Sequence, residues 1–249
     1  MTTQSWILKM TLNIVCLKWG DLYSDEYVEN LYKGCYDKFS YDFRFFCVSD
    51  NTSPIKGVEL RDPTGKSWNS GACMFEAEKM HYFQEDFLGV DGHILALDLD
   101  MIILDDIYLE QYENPTIIYK YWRTQDWWKR RKGEDRTMLN SSMLYWKQNS
   151  MVEYFNKYIE KEDYWLSKYP TDNYHQFADH GFQWSYFDKM TVYSYDQGAT
   201  YEPADGKTYV DWPDGPRAKY RPGYTACIFN GESPMIHECD NWVKDYWSS

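Results

Sequence analysis

Apolar residues first gather in one block, Leu12-Asn13-Ile14-Val15-Cys16-Leu17, which runs into Lys18-Trp19-Gly20-Asp21. A short apolar run closed by a glycine-containing turn predicts a buried strand. Ser24 stands where a helix cap belongs. Val28, Leu31, Tyr32 and Cys35 then recur at helical spacing, which predicts a helix laid against a sheet. Phe43 to Val48 predicts a second strand, ending at Ser49-Asp50-Asn51. Strand, helix and strand in this order are the pattern of an α/β unit with parallel neighbours.

Residues 51–71 carry Pro54, Gly57, Pro63, Gly65 and Gly71 and predict a long loop. Met74 to Phe83 predicts a helix. After the Asp91-Gly92 turn, His93-Ile94-Leu95-Ala96-Leu97 is apolar on both faces, as a central strand of a covered sheet is. Thr116 to Tyr121 predicts a short strand, and Asn140-Ser141-Ser142 lead into the apolar Met143 to Trp146. Ser150 is placed to cap a helix whose inner face is Met151, Tyr154, Phe155 and Tyr158. Tyr174 to Phe187 reads as partly helical, interrupted near Gly181. Thr191 to Tyr195 reads as a strand, 196–223 as a loop and Thr225 to Phe229 as a last apolar run. No repeat or low-complexity linker divides the chain, so one domain over 1–249 is expected.

The strongest chemical signal is Asp98-Leu99-Asp100, at the C-terminal end of the central strand. Alternation along an extended chain points the two carboxylates the same way. Open α/β sheets place ligands at that edge, and paired carboxylates suit Mn²⁺ or Mg²⁺ shared with substrate phosphates. The plainer reading, two aspartates ending a strand in water, is opposed by Met101-Ile102-Ile103-Leu104, which keeps the chain apolar beyond the pair.

Composition narrows the partners. The formal net charge of -13 disfavours nucleic acid and anionic membrane surfaces. Against that background Arg217, Lys219 and Arg221 form a basic group suited to a diphosphate, or an ordinary solvated loop. Lys129-Arg130-Arg131-Lys132 beside Trp127 and Trp128 reads as a lid or acceptor-side groove, or as a solvated helix face. The 12 Trp, 24 Tyr and 12 Phe exceed what a small core needs, so some rings are expected on the surface or in a groove. Six cysteines form no CxxC pair, and Cys16 and Cys47 sit inside apolar runs, which suits a reducing compartment. With no basic opening and no long apolar stretch, no membrane span and a cytoplasmic location are expected.

Several blocks together resemble glycosyltransferases of the GT-A fold, akin to the glycogenin and galactosyltransferase-like group. They are Val15 to Gly20, Tyr27 to Leu31, Phe45 to Asp50, Ile94 to Ile103 and Asn140 to Met143. The resemblance implies a single α/β domain with a Rossmann-like mixed central sheet flanked by helices. Its nucleotide-binding part would span about 10–105 and its acceptor-side part about 106–249. It implies a hexosyltransferase that uses Mn²⁺ or Mg²⁺ to pass a sugar from a nucleoside-diphosphate sugar to a glycan, glycoprotein or small hydroxyl acceptor, and it favours retention.

By that resemblance Leu17, Lys18 and Trp19 border the base and ribose, with Asp50 beside the base. Asp98 touches ribose and metal, Asp100 ligates the metal, and Asn140 and Ser141 position the sugar. The chain departs from the pattern in three places. Asn230 stands where a metal-binding His is expected, with His237 as a substitute, or as a partly exposed histidine of the tail. The stretch Trp68-Asn69-Ser70-Gly71-Ala72 lacks the usual Lys. Ala178-Asp179-His180-Gly181 replaces the Gly-Asp-Gln block, leaving Asp179 as the catalytic candidate near the anomeric carbon, or as a helix-surface Asp. Two rivals remain: a phosphatase-like hydrolase with the same DxD pattern, and a carbohydrate-binding protein without activity, which the many rings motivate.

Overall fold

The structure, a computed structural model, describes residues 10–64, 75–123, 137–167, 170–195, 197–199, 220–230, 233–239 and 241–247. Its strands are β1 (Leu12–Lys18), β2 (Phe43–Ser49), β3 (Val58–Arg61), β4 (His93–Leu97), β5 (Met101–Ile103), β6 (Thr116–Tyr119), β7 (Leu139–Lys147), β8 (Ser185–Tyr186), β9 (Val192–Ser194) and β10 (Ala226–Ile228). The α-helices are α1 (Asp25–Lys38), α2 (Val152–Ile159), α3 (Glu162–Leu166), α4 (Pro170–Phe177) and α5 (Asn241–Trp247).

A seven-stranded mixed sheet has the order β3-β2-β1-β4-β7-β6-β8, and a smaller sheet the order β5-β10-β9. β1 lies parallel to both β2 and β4, and β7 runs antiparallel to β4. Both faces of β1 are covered, which is why its sequence shows no alternation. Ile14 and Cys16 join a core under α1 and the small sheet. Val15 and Leu17 join a second core with Phe83, Tyr154 and Tyr174 on the opposite face.

Several expectations are corrected. The 51–71 stretch contains β3, whose residues are all half-buried and too short a run to signal a strand between Pro54 and Pro63. Residues Phe75–Phe83 form a 3₁₀ segment instead of an α-helix. The helix placed at Tyr174 to Phe187 starts earlier, at Pro170, and ends at Phe177. Gly181, at φ 64, lies beyond that end, and β8 follows it. Asn140 to Ser142 lie inside β7. Ser24 does occupy the cap position of α1, but its side chain caps nothing. Met151, not Ser150, holds that position in α2.

The turn into β4 depends on Gly92, at φ 97, where a Cβ would run into the Thr11 carbonyl oxygen. Gly92→Ala is expected to cost about 2–3 kcal/mol of stability, a positive-φ strain plus a backbone clash. Thermal denaturation checks this; an unchanged melting temperature would contradict the packing of β4 against β1. Among the described residues, no helix is long and apolar enough to cross a membrane.

Candidate functional site

The chain leaves the large sheet at Leu97 and enters the small sheet at Met101, so Asp98-Leu99-Asp100 is the crossing between them. The crossing is pinned from both sides. The Asp98 N–H donates to the Ser142 carbonyl of β7 (2.9 Å), and the Phe229 N–H beyond β10 donates to the Asp100 carbonyl (2.9 Å). Leu99 is buried in the core. Alternation therefore turns both carboxylates into one cavity of about 320 Å³.

The adjoining wall is built by an irregularity in β7. Its pairing with β6 jumps from Ile117 opposite Leu144 to Ile118 opposite Asn140, which takes 141–143 out of the β6 ladder. The amides freed in this way find side chains, as buried donors must. Ser141 N–H donates to Asp172 Oδ1 (2.9 Å), and Ser142 N–H to Asn140 Oδ1 (3.1 Å). Asn140, Ser141, Ser142 and Asp172 all line the cavity.

Asp172 begins α4, directly after Pro170 and Thr171. Its Oδ2 meets the buried Lys120 ammonium at 3.1 Å, and Lys120 also donates to Thr137 Oγ1 (2.8 Å). Burial alone would push the Asp172 carboxyl up. Lys120, His175 and the Ser141 amide outweigh it and hold the group below the usual carboxylate range, so Asp172 is anionic at neutral pH.

Asp100 behaves oppositely. Burial first, and the neighbouring Asp98 second, push its carboxyl up to about 7, although Lys79 and the Tyr23 hydroxyl pull the other way. Tyr23 donates to Asp100 Oδ2 at 3.3 Å. Lys79, from the 3₁₀ segment, makes an ion pair with Asp98 Oδ1. It is the one cationic side chain among the described residues lining the cavity. The Tyr27 hydroxyl, pushed up to about 12 chiefly by burial, stays protonated on the far wall.

The other residues singled out in the sequence fall as follows. Asn230 lines the cavity, its Oδ1 accepting from Ser194 Oγ (2.6 Å). His237 does not; its Nδ1 lies 3.2 Å from the Tyr27 hydroxyl and its side chain is half exposed. Leu17, Lys18 and Trp19 are outside the cavity at the same sheet edge, since Cys16 on β1 pairs with Leu97 on β4. The Lys18 ammonium is held by Asn51 Oδ1 (2.7 Å) and Asp25 (3.3 Å). Asp50 is exposed and accepts from the Gly20 N–H (3.3 Å). Arg221 lies outside the cavity, and Arg217 and Lys219 lie outside the described residues.

Asp179 is not among the residues lining the cavity of Asp98 and Asp100. It is exposed and lines a different cavity, because α4 ends before it and the chain turns away. The carboxylate that shares the cavity with Asp98 and Asp100 is Asp172, and the amine that sequence placed nowhere is Lys79. Both were missed because a lone charged residue beside a helix start or inside Phe-Glu-Ala-Glu-Lys-Met looks solvated. The Pro170-Thr171-Asp172 start of α4 was the available signal.

The sequence matches no protein-family model and no curated protein. The structure does find likenesses. It is similar to a crystal structure of the galactosyltransferase LgtC in complex with donor and acceptor sugar analogues. The TM-score is 0.54 and the identity 11%, over 88% of this chain and 87% of that one. It is likewise similar to an active-site mutant of LgtC (TM-score 0.55, 12% identity, 94% of this chain and 93% of that one). The fold is that of the GT-A glycosyltransferases. At such low identity the likeness speaks for architecture, and the chemistry has to come from the cavity itself.

Proposed function

We propose that this protein is a glycosyltransferase that moves a hexose from a nucleoside-diphosphate sugar to an acceptor hydroxyl, with Mn²⁺ or Mg²⁺ held by Asp98 and Asp100. The observation that carries the reading is the crossing between the two sheets. It turns both carboxylates into one cavity, shared with Asp172, in a GT-A fold.

The donor set fits a hard cation. Asp98 and Asp100 offer carboxylate oxygens, and the Asn230 amide oxygen keeps one lone pair beyond its bond to Ser194. Among the described residues no group of three or more His, Cys, Asp or Glu assembles for a metal, so substrate oxygens would complete the shell, as is usual for Mg²⁺ beside phosphates. The cation would supply positive charge to offset what builds on the departing diphosphate.

The protein's own groups do the rest. Lys79 holds Asp98 in place and adds positive charge beside the leaving group. Asn140, Ser141 and Ser142 present polar atoms from a strand too buried to move, which orients the sugar. Asp172, kept ionised, faces the reacting carbon and stabilises the positive charge that develops there. That role replaces the one read for Asp179. Retention, with the leaving phosphate receiving the acceptor's proton, is the course that the GT-A resemblance favours; an ionised Asp172 is compatible with it as a charge stabiliser. Leu17, Lys18, Trp19 and Asp50, at the ends of β1 and β2, are assigned to the base and ribose, and Arg217, Lys219 and Arg221 to the diphosphate.

Nucleotide release from UDP-, GDP- and dTDP-sugars with Mn²⁺ and a mixed set of hydroxyl acceptors tests the reading. Release that depends on the metal is expected for one donor. Phosphate release from simple phosphomonoesters instead would favour the hydrolase.

A pH dependence follows from Asp100. A carboxyl raised to about 7 keeps its proton in the folded chain, so the metal-free protein loses stability as pH rises from the unfolded value near 4 through about 7. A cation must displace that proton. Mn²⁺ affinity is expected to rise by up to about tenfold per pH unit below 7 and to level off above it. Calorimetric titrations at pH 5.5, 6.5 and 7.5 check this; a flat profile would contradict it.

A further inference from the structure

A second cavity, about 800 Å³, opens beyond the other end of α4. The two cavities share a scaffold. Asp172 and Gln176 lie on one face of α4, and both accept from β7 amides, Asp172 from Ser141 and Gln176 from Leu139 (3.2 Å). A four-residue step along a helix, about 6 Å, matches a two-residue step along a strand. Asp172 therefore faces the first cavity while Gln176 lines the second, one helical turn away.

The lining of the second cavity is chemically distinctive. Tyr119 on β6 and Tyr186 on β8 stand with ring centroids 5.1 Å apart, and Tyr186 is 46% exposed. Phe182 and Trp184 continue the aromatic wall. The planar polar groups of Gln176, Gln183 and Asp179 line the same cavity. His175 is 2% exposed, and its Nε2 has no hydrogen-bond partner, while Nδ1 meets the Tyr154 hydroxyl at 2.6 Å.

Charge selects among ligands. Of the described lining residues only Asp179 carries a full charge, since burial pushes His175 down to about 3 and lowers His180 as well. Among the described residues none of those lining the cavity is cationic, and the Lys157 ammonium beside Gly181 is taken up by the His180 carbonyl (2.8 Å). Aromatic rings in one cavity with amide and carboxylate side chains suit a neutral, hydroxyl-rich chain. Such a chain lays its C–H faces on rings and its vicinal hydroxyls against planar polar groups. The volume exceeds one sugar residue and falls within the range of ordinary ligand sites.

We propose that this groove binds the non-reacting sugar residues of an uncharged oligosaccharide acceptor, whose terminal hydroxyl then reaches the cavity of Asp98, Asp100 and Asp172. The acceptor role rests on the glycosyltransferase reading; saccharide binding by the groove does not.

The test uses the full chain with maltotetraose, cellotetraose, chitotetraose and lacto-N-tetraose. Saturation-transfer NMR and calorimetry are run on the unaltered protein, Tyr186→Ala, Gln183→Ala and Asp100→Ala. At least one tetraose is expected to bind without donor or metal. Affinity should fall tenfold or more in Tyr186→Ala and Gln183→Ala, and persist in Asp100→Ala. Failure of all four glycans to bind overturns the proposal. So does binding that survives Tyr186→Ala and disappears in Asp100→Ala, which would place the saccharide in the first cavity. In transfer assays the preference for the bound tetraose over its single-sugar methyl glycoside should drop about tenfold in Tyr186→Ala. Tetraose binding with no transfer to any acceptor would keep the groove and remove the transferase. Transfer whose chain-length preference ignores Tyr186 would keep the transferase and remove the groove.

Discussion

Asp100→Ala is expected to lower metal-dependent sugar transfer about a thousandfold while leaving the fold intact. The reason is geometric. Asp100 projects from the short crossing between two sheets, and its carbonyl, which the variant keeps, holds the Phe229 amide. What disappears is one of two carboxylates positioned to hold a cation against a diphosphate. Loss of a single preorganised charge contact to a leaving group costs about 100- to 1000-fold, and loss of a metal ligand belongs at the upper end. The variant also removes a half-buried acid whose anion is disfavoured by desolvation and by Asp98, so its melting temperature without metal should hold or rise slightly at pH 7.5. Activity within threefold of the unaltered protein would contradict the assignment.

Asp172 carries the second large effect, with stability and activity separable. Asp172→Ala takes a carboxylate from the buried Lys120 ammonium and an acceptor from the Ser141 amide. The expected cost is about 3 kcal/mol. At about 2–4 °C per kcal/mol for a chain of this size, that is roughly 6–12 °C in Tm. Asp172→Asn keeps an oxygen for Ser141 but sets an amide N–H₂ in place of the Oδ2 that accepts from Lys120, so at least about half of that loss is expected. Transfer should nevertheless fall about a hundredfold in Asp172→Asn, because the charge facing the reacting carbon is gone. Near-normal transfer by that variant would return Asp172 to a purely structural role. Asp179→Asn, in the second cavity, should leave donor hydrolysis in the absence of any acceptor within a factor of two.

The parts of the fold legible in the sequence are those where burial is complete or strictly periodic. β1, β2 and β4 are apolar runs bounded by turn residues, and α1 repeats its buried Val28, Leu31 and Cys35 at helical spacing. β3 escaped because four half-buried residues between prolines carry no pattern. The polar start of β7 escaped for a different reason. Asn140, Ser141 and Ser142 are buried, yet they satisfy one another and Asp172 instead of a neighbouring strand, and no one-dimensional pattern distinguishes that from a loop.

The candidate site divides in the same way. Asp98 and Asp100 were visible because a strand end and a strict alternation fix their direction. Asn140, Ser141 and Asn230 proved to share their cavity. Lys79, Lys120 and Asp172 were invisible because their partners are 19, 52 and 31 or more residues away, and an ion pair leaves no mark in local sequence. Asp179 was chosen for its place in a local block, and the end of α4 sends it to another cavity. Among the described residues many rings are structural: Tyr154, Tyr174, His175 and Trp184 pack on one another, while others such as Tyr186 reach the surface.

The central claim is that Asp98 and Asp100 together clamp a cation that in turn holds a sugar nucleotide. Thermal unfolding across UDP-, GDP-, CMP- and dTDP-sugars, each with and without Mn²⁺, measures it directly, because a ligand of the native state raises Tm by mass action. One donor is expected to raise Tm by several degrees only when Mn²⁺ is present, and to do nothing for Asp100→Ala. A donor shift of equal size without the metal, or in Asp100→Ala, would contradict the account, as would no shift with any donor.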